Sequence, residues 1–447
     1  MKKIYQYILL AVAMVATASC SNELDDTLQP VENGTLQFVV GDFPAFGEDP
    51  QTRASSFGTP DEGKTAWETN DEITVIFTSE YYGEQTATLT YGEDGTWVSS
   101  GTLSYLENET PAVSVVYNPC AETPGLGEYL VTTDYTIADN TLKISFMNAI
   151  RTYSRLRIAG LTNQTLTVTT TDFTPAGPEG ATAPESYTLT TDDKGNAYLY
   201  GTFAEGATVS VKQGDITLKD YTFTEEKNPN GTEYNKSYAL DARPVIDGTL
   251  GGKAEATEDD ITALVEQLKA YVDNGITTII VPGSEPTIID MGNYTTTAIG
   301  EAIYCLSGSG AYDENNPYNG KIDLIFSDVT EIGEWEFYAA FAVNSITLPK
   351  VTTIGDQAFQ GCYYLKRITF GSVVTSIVQI NGKTFVVGDK VDGCDLVLNC
   401  GQLEAEDTYK PDLENNVWFK PSRGGNVTWK SITLTHTGEC DECKANQ

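Results

Sequence analysis

A segment of this chain is repeated in tandem with an offset of 22 positions. Val329-Thr330-Glu331-Ile332-Gly333 aligns with Val351-Thr352-Thr353-Ile354-Gly355. The same register joins the pairs Phe337/Phe359, Ala340/Cys362, Val343/Leu365, Ile346/Ile368 and Leu348/Phe370. One unit of this length cannot cover its own apolar face, so neighbouring units must stack. The repeat therefore predicts a solenoid.

The apolar positions shared by the two units are predicted to point into the stacked core. They form a predicted repeat core that consists of Ile332, Phe337, Val343, Ile346, Leu348, Ile354, Phe359, Cys362, Leu365 and Ile368. Short apolar tripeptides recur on both sides of the regular units and indicate up to six coils. They are Ile279-Ile280-Val281, Leu324-Ile325-Phe326, Ile346-Thr347-Leu348, Ile368-Thr369-Phe370, Leu396-Val397-Leu398 and Ile432-Thr433-Leu434.

The unit from Val351 to Leu365 resembles the BspA-type leucine-rich repeat of bacterial surface proteins, which reads V-T-x-I-G-x-x-A-F-x-G-C-x-x-L. The first unit departs from this pattern, since Ala339-Ala340 replaces Gly-Cys and Glu336 replaces a small residue. The resemblance implies a leucine-rich-repeat solenoid over residues 257–436. It also implies a surface protein that recognises a protein or glycan ligand.

An amphipathic helix is predicted directly before the repeats. Thr257 suits the N-cap, acidic residues fill the first turn, and Asn274-Gly275 ends the helix. One interpretation is a cap over the end of the solenoid. The other is a membrane or partner contact, which the acidic polar face disfavours. Residues 307–319, rich in Gly, Asn and Asp, are predicted to loop out of one coil.

The composition favours a multidomain, mainly β protein. At 447 residues the chain exceeds what one core usually serves, and its 25 Tyr and single His suit half-exposed strands. Its formal net charge of −36 disfavours nucleic acid and anionic lipid as partners.

Before the repeats, period-2 alternation with turn signals predicts two β-sandwiches over residues 34–147 and 148–245. A Gly-, Ala- and acid-rich linker is predicted over residues 246–256.

Four features of the first sandwich resemble the fimbrillin-like family of pilins, pilus tips, anchors and related surface lipoproteins. They are Thr52-Arg53-Ala54, Trp67 to Val75, Gly95-Thr96-Trp97 and Tyr117-Asn118-Pro119. Asn70 stands where the family has Gly, and Asn is another residue type that tolerates positive φ. The resemblance implies paired sandwiches, fimbrial subunits as candidate partners, and proteolytic processing at Arg53. The alternative is that Arg53 is an unprocessed surface arginine.

The N-terminus has the pattern of a lipoprotein leader. Residues 1–19 combine two lysines, a short apolar run and small residues before Cys20. Cys20 is the predicted lipidation site, and residues 20–33 form an acidic tether. These features predict a lipid anchor in the outer membrane at the cell surface, or alternatively a place in a fimbrium. A plain secreted protein is the competing interpretation.

Motifs for catalysis and metal binding are missing from the sequence. It contains no nucleophile elbow, P-loop, zincin helix or dinucleotide turn. Cys440 and Cys443 form a C-x-x-C in a polar tail, residues 437–447, without the partners of a zinc or redox site. Carboxylate pairs are plentiful, so spacing alone leaves a glycosidase dyad open. We predict no cofactor, no metal and no enzymatic activity.

Together these features predict a lipid-anchored surface protein that displays its leucine-rich-repeat module on a sandwich stalk for adhesion or ligand recognition. One alternative is a pilus subunit or tip. Another is a surface lipoprotein that binds polysaccharide for uptake.

Overall fold

The computed structural model describes residues 36–46, 63–106, 108–224, 231–246, 255–282, 288–290, 295–378, 384–419 and 427–435. The predicted leader, the tether, Cys20, Arg53 and the tail lie outside these ranges. The described residues form two compact units. The first unit takes residues from 1–45, 64–119 and 129–150, and the second takes residues from 46–63, 120–128 and 151–447.

The described residues of the first unit form eight strands in two sheets. They are β1 (Gln37–Val40), β2 (Glu72–Ser79), β3 (Gly83–Tyr91), β4 (Trp97–Ser99), β5 (Ala112–Tyr117), β6 (Leu130–Thr132), β7 (Asp134–Ala138) and β8 (Thr141–Ser145). One sheet has the order β4-β3-β2-β5-β6 and the other has the order β1-β8-β7, with β1 parallel to β8. Ile73, Val75 and Phe77 of β2 are fully buried at every second position, so the predicted alternation fixes which face is core.

The Trp67 region explains why the first sandwich carries its sequence signature. The Trp67 ring packs edge-on against Phe43, Trp97 and Tyr117, and its Nε1 donates to the carbonyl of Gly41 at 2.8 Å. Asn70 adopts φ 73°, the left-handed conformation for which Gly is usual.

The second unit begins with another sandwich of eight strands. They are β9 (Ser154–Ala159), β10 (Thr165–Thr170), β11 (Phe173–Pro175), β12 (Tyr187–Thr190), β13 (Asn196–Phe203), β14 (Thr208–Gln213), β15 (Ile216–Thr222) and β16 (Ser237–Asp241). The sheets have the orders β12-β10-β14-β15 and β11-β13-β9-β16, and β16 runs parallel to β9.

The solenoid follows in the same unit. Its elements are α1 (Glu258–Asp273), β17 (Thr278–Val281), β18 (Ile288–Asp290), β19 (Thr295–Thr297), α2 (Ala298–Leu306), β20 (Ile322–Phe326), β21 (Glu331–Ile332), β22 (Val343–Leu348), β23 (Thr353–Ile354), β24 (Phe359–Cys362), β25 (Arg367–Phe370), β26 (Ser376–Ile377), β27 (Phe385–Val387), β28 (Asp395–Asn399), a 3-10 helix (Cys400–Glu404), β29 (Val417–Trp418), β30 (Val427–Thr428) and β31 (Ser431–Thr435). The mainly β fold with sandwiches before a solenoid is confirmed.

Six parallel strands form the main sheet of the solenoid, in the order β17-β20-β22-β25-β28-β31. Each strand contains one of the six predicted tripeptides. A second ladder, β21-β23-β26, stacks Ile332, Ile354 and Ile377 in register. All ten residues of the predicted repeat core are at most 1% exposed.

Aromatic side chains stack through the solenoid core from coil to coil. The ring of Phe359 lies 5.3 Å from that of Phe337 and 5.4 Å from that of Phe385, centroid to centroid. Phe385 in turn meets Trp429 edge-on at 5.3 Å. The stack of rings that begins with the Phe residues of the repeat therefore extends into the less regular C-terminal coils.

Helix α1 has the predicted start and end. Thr257 and Asp260 form a capping box, and Asn274 is the C-cap before Gly275, which has φ 75°. The apolar face of α1 joins the solenoid core through Ile261, Leu264, Leu268 and Tyr271.

The start of the predicted linker is packed against the solenoid. Ile246 is fully buried, and its N–H donates to the carbonyl of Ile280 at 2.9 Å. Residues 247–254 of the linker lie outside the described ranges.

The second sandwich also contacts the solenoid core directly. Ile216 and Leu218 of β15 pack against it, and the N–H of Asp215 donates to Oδ1 of Asn274 at 3.2 Å. Hairpin β14–β15 thus contributes to covering the N-terminal end of the stack.

Candidate ligand-binding surface

The outer face of the main sheet presents two rows of residues in register. The first row is Thr278, Asp323, Ser345, Arg367, Asp395 and Ser431. The second row is Ile280, Ile325, Thr347, Thr369, Val397 and Thr433. Apart from Ile280, which is 5% exposed, these positions alternate with buried residues such as Leu324 and Ile368, as a strand with one solvated face requires.

Hydrogen bonds between neighbouring coils hold the two carboxylates of the first row. Oδ1 of Asp323 accepts from Asn344 Nδ2 at 2.7 Å and from Ser345 Oγ at 2.6 Å. Oδ1 of Asp395 accepts from Ser431 Oγ at 2.6 Å. Arg367 lies exposed between the two carboxylates, and its guanidinium forms no ion pair within the described part of the chain. It is therefore available to a ligand.

A strip of aromatic side chains crosses the coils beside the main sheet. We define the aromatic strip as Tyr304, Tyr312, Trp335, Tyr338, Phe341, Tyr363 and Tyr364. These residues come from the three successive segments that connect β17, β20, β22 and β25. Phe341 is buried, Tyr312 is 39% exposed, and the others are half-buried. The strip therefore offers ring edges and faces to solvent from several coils at once.

Ring contacts connect the strip at both of its ends. Tyr338 meets Trp335 at 4.7 Å and Tyr304 at 6.3 Å, centroid to centroid. At the other end Tyr312 contacts Tyr363 at 6.1 Å and stacks on Tyr364 at 6.3 Å.

The repeat geometry places part of the strip. Phe341 and Tyr363 occupy the same position in the two regular units, and their rings stack at 5.3 Å. Trp335 has φ 64°, and Gln357 at the equivalent position has φ 57°. Ala339 at φ 51° likewise corresponds to Gly361 at φ 83°. The repeat therefore requires a left-handed backbone at these two positions. In the first unit Trp335 and Ala339 adopt it, although Gly would do so with less conformational strain.

The predicted insertion, residues 307–319, is ordered by hydrogen bonds within itself and to the end of α2. Asn316 Nδ2 donates to the carbonyl of Leu306 at 2.9 Å, and Asn319 Nδ2 donates to that of Asp313 at 2.8 Å. The hydroxyls of Tyr312 and Tyr364 lie 3.0 Å apart, and this hydrogen bond is the main reason that the pKa of Tyr364 is raised. Lys390 Nζ lies 4.8 Å from the centroid of the Tyr312 ring.

Glu336, which departs from the repeat pattern, has a structural role that the sequence did not reveal. Its buried carboxylate accepts hydrogen bonds from the N–H and the Oγ1 of Thr297. Thr297 is the N-cap of α2, a helix absent from the sequence-based prediction. The only signal was the departure itself, because a charged residue in an apolar position needs a partner.

The cysteines of the described ranges are free thiols: Cys120, Cys305, Cys362, Cys394 and Cys400. Burial raises the pKa of Cys362, and it raises that of Cys394 to about 12. Such thiols are poor nucleophiles at neutral pH. The described residues contain no group of three or more His, Cys, Asp or Glu arranged to hold a metal ion. None of the helices in the described ranges is long and apolar enough to cross a membrane.

Comparison with known proteins identifies the repeat. The family model described as the BspA type leucine rich repeat region (6 copies) matches residues 320–385. This match confirms the resemblance of the repeat units. The chain is therefore a mainly β protein whose C-terminal part carries a BspA-type leucine-rich-repeat solenoid.

Two solved structures show weaker similarity. One is a candidate cell adhesion protein from Bacteroides fragilis, at 10% identity over 46% of this chain and 92% of that chain, with a TM-score of 0.28. The other is the shaft pilin SpaA of Lactobacillus rhamnosus GG, at 12% identity over 47% of this chain and 97% of that chain, with a TM-score of 0.21. Similarities this low support no conclusion about function. Curated protein sequences provide no match.

Proposed function

We propose that this protein is a cell-surface lipoprotein that mediates adhesion or ligand recognition through its solenoid. The aromatic strip is the observation that best supports this function, because it gathers partly exposed rings from successive coils on a rigid scaffold. Clustered aromatic side chains provide large contact areas at a small cost in conformational entropy. The sandwiches serve as a stalk, and acylated Cys20 anchors the chain in the outer membrane.

The proposed role is binding without catalysis. Burial raises the pKa of the Cys120, Cys305, Cys362 and Cys394 thiols, and the single histidine, His436, leaves acid–base chemistry to carboxylates. The net charge of −36 favours a protein or glycan ligand over nucleic acid.

Identification of the mature N-terminus tests the proposed lipid anchor. We expect mass spectrometry of the protein isolated from its native membranes to find an acylated Cys20. A chain that starts at Ala54 would instead identify a processed pilus subunit, the main alternative, and would contradict the anchored form.

Variants of the full-length protein test which module binds. Purified protein should block attachment of the producing cells to a surface that they colonise. Charge reversal of Arg367 to Glu on the solenoid face should weaken this inhibition. Lys219→Glu makes the same charge change on an exposed residue of the second sandwich and should leave it intact. Loss of inhibition with Lys219→Glu alone would move the binding surface to the sandwich and refute the proposal.

A further inference from the structure

The aromatic strip has the geometry of a surface for an extended chain of sugar rings. The strip draws its rings from three successive connecting segments, so a chain of sugars laid along it would contact side chains from more than one coil. Tyrosine and tryptophan offer apolar ring faces to the C–H faces of sugars.

Polar groups suited to sugar hydroxyls lie next to these rings. Asp313 and Asn315 are exposed on the same insertion as Tyr312, and their side chains hydrogen-bond each other at 3.4 Å. Lys390 adds an exposed ammonium group next to the Tyr312 ring. Planar carboxylates and amides, with a nearby ammonium, can donate to and accept from vicinal hydroxyls.

The negative charge of the protein favours neutral over acidic glycans as ligands. The chain carries −36, and near the strip Lys390 is accompanied by the exposed acids Asp313, Glu314 and Asp389. A polyanion would meet repulsion both from this surface and from the whole molecule. A neutral glycan avoids both penalties and can still use the rings.

We infer that the aromatic strip binds a neutral polysaccharide, with Trp335, Tyr338 and Tyr312 as the aromatic residues that contact its sugars. This inference rests on the proposed recognition function and gives it a ligand class and a location. The ring order Trp335, Tyr338, Tyr304 then defines one end of the binding path, and Tyr312 with Tyr364 defines the other.

The repeat itself supplies mild substitutions for testing the strip. In the next unit, Gln357 and Gln360 occupy the positions of Trp335 and Tyr338, and Gln357 has the same left-handed backbone as Trp335. A double variant, Trp335→Gln with Tyr338→Gln, should therefore fold. Tyr234→Gln is the matched control, because Tyr234 is a 57% exposed tyrosine of the second sandwich.

The assay is affinity electrophoresis and calorimetry of the full-length protein with mannan, a mixed-linkage β-glucan and amylopectin as neutral probes. Polygalacturonate and heparin are the acidic probes. We expect binding to at least one neutral probe, weakened about tenfold or more in the double variant and unchanged in Tyr234→Gln. Circular dichroism of each variant confirms that the fold is retained.

Three results would overturn the inference: no binding to any neutral probe, binding to the acidic probes alone, or equal affinities of native protein and double variant. The attachment assay separates this failure from failure of the proposed function. If the protein still blocks attachment but binds no neutral polysaccharide, adhesion stands and its ligand is not a neutral glycan. If it does neither, the proposed function fails as well.

Discussion

Two adjacent aliphatic residues of β20 provide a direct test of the solenoid register. Leu324 is fully buried and lies in register between Ile279 and Ile346, whereas Ile325 is half-buried on the outer face. Leu324→Ala and Ile325→Ala remove the same number of carbon atoms from neighbouring positions. The main difference between the two variants is the direction of the side chain that is removed.

The expected free-energy changes differ because only one site is enclosed. Leu324→Ala loses the transfer free energy of a buried side chain and leaves a cavity between stacked coils, which together cost roughly 2.7–5 kcal/mol in comparable cores. Ile325→Ala removes methyl groups that are partly hydrated already, so a loss below about 1.5 kcal/mol is expected.

Urea denaturation followed by circular dichroism measures both changes in the full-length protein, with intrinsic fluorescence as a second probe. The first unit provides an internal reference, because neither substitution lies in it. Equal losses for the two variants, or a larger loss for Ile325→Ala, would refute the inward and outward assignment along β20 and hence the register of the whole sheet.

Two further substitutions test individual features of the solenoid. Ala339→Gly should raise the free energy of unfolding by up to about 1 kcal/mol, because glycine relieves the left-handed strain at φ 51°. The control Ala340→Gly, at a buried neighbour without positive φ, should lower the free energy of unfolding. Denaturation midpoints in the reverse order would contradict this prediction. Burial raises the pKa of Glu301 above its ordinary value of 4.5, so the folded state holds this proton more tightly than the unfolded state and loses stability as the pH rises through the folded pKa. Glu301→Gln should therefore be more stable than the native protein at pH 7 but not at pH 4, which thermal melts at both values can measure; an advantage that is independent of pH would refute the assignment.

The sequence predicted the parts of the fold that depend on short-range periodicity. The register of Ile346 with Ile368 was visible because a 22-residue offset places equivalent residues on neighbouring coils. Helix α1 was visible because its cap, its apolar face and its Gly stop are all local signals.

Features that depend on tertiary contacts were not predictable in the same way. Helix α2 has nine residues and is buried on nearly every side, so it lacks the polar face that marks an amphipathic helix. Its N-cap partner, Glu336, is 39 positions away in the chain. The aromatic strip was missed for a similar reason, since Tyr304 and Tyr364 become parts of one surface only when the coils stack.

The packing of the solenoid links closure of the repeat to the proposed ligand recognition. Two regular units are too few for a stable stack, so irregular segments must cover both ends. Helix α1 and the β14–β15 hairpin cover one end, while Phe385, Trp418 and Trp429 continue the core at the other.

Irregular segments can accept insertions that a regular repeat cannot, because no equivalent position in a neighbouring coil restricts them. The insertion at residues 307–319 lies where such a coil meets the regular units, and Tyr312 attaches it to Phe341 and Tyr363 of those units. The regular coils thus supply a rigid spacing and the irregular coil supplies polar groups that the repeat lacks. A ligand that spans the strip must contact both, so its specificity depends on the junction between them.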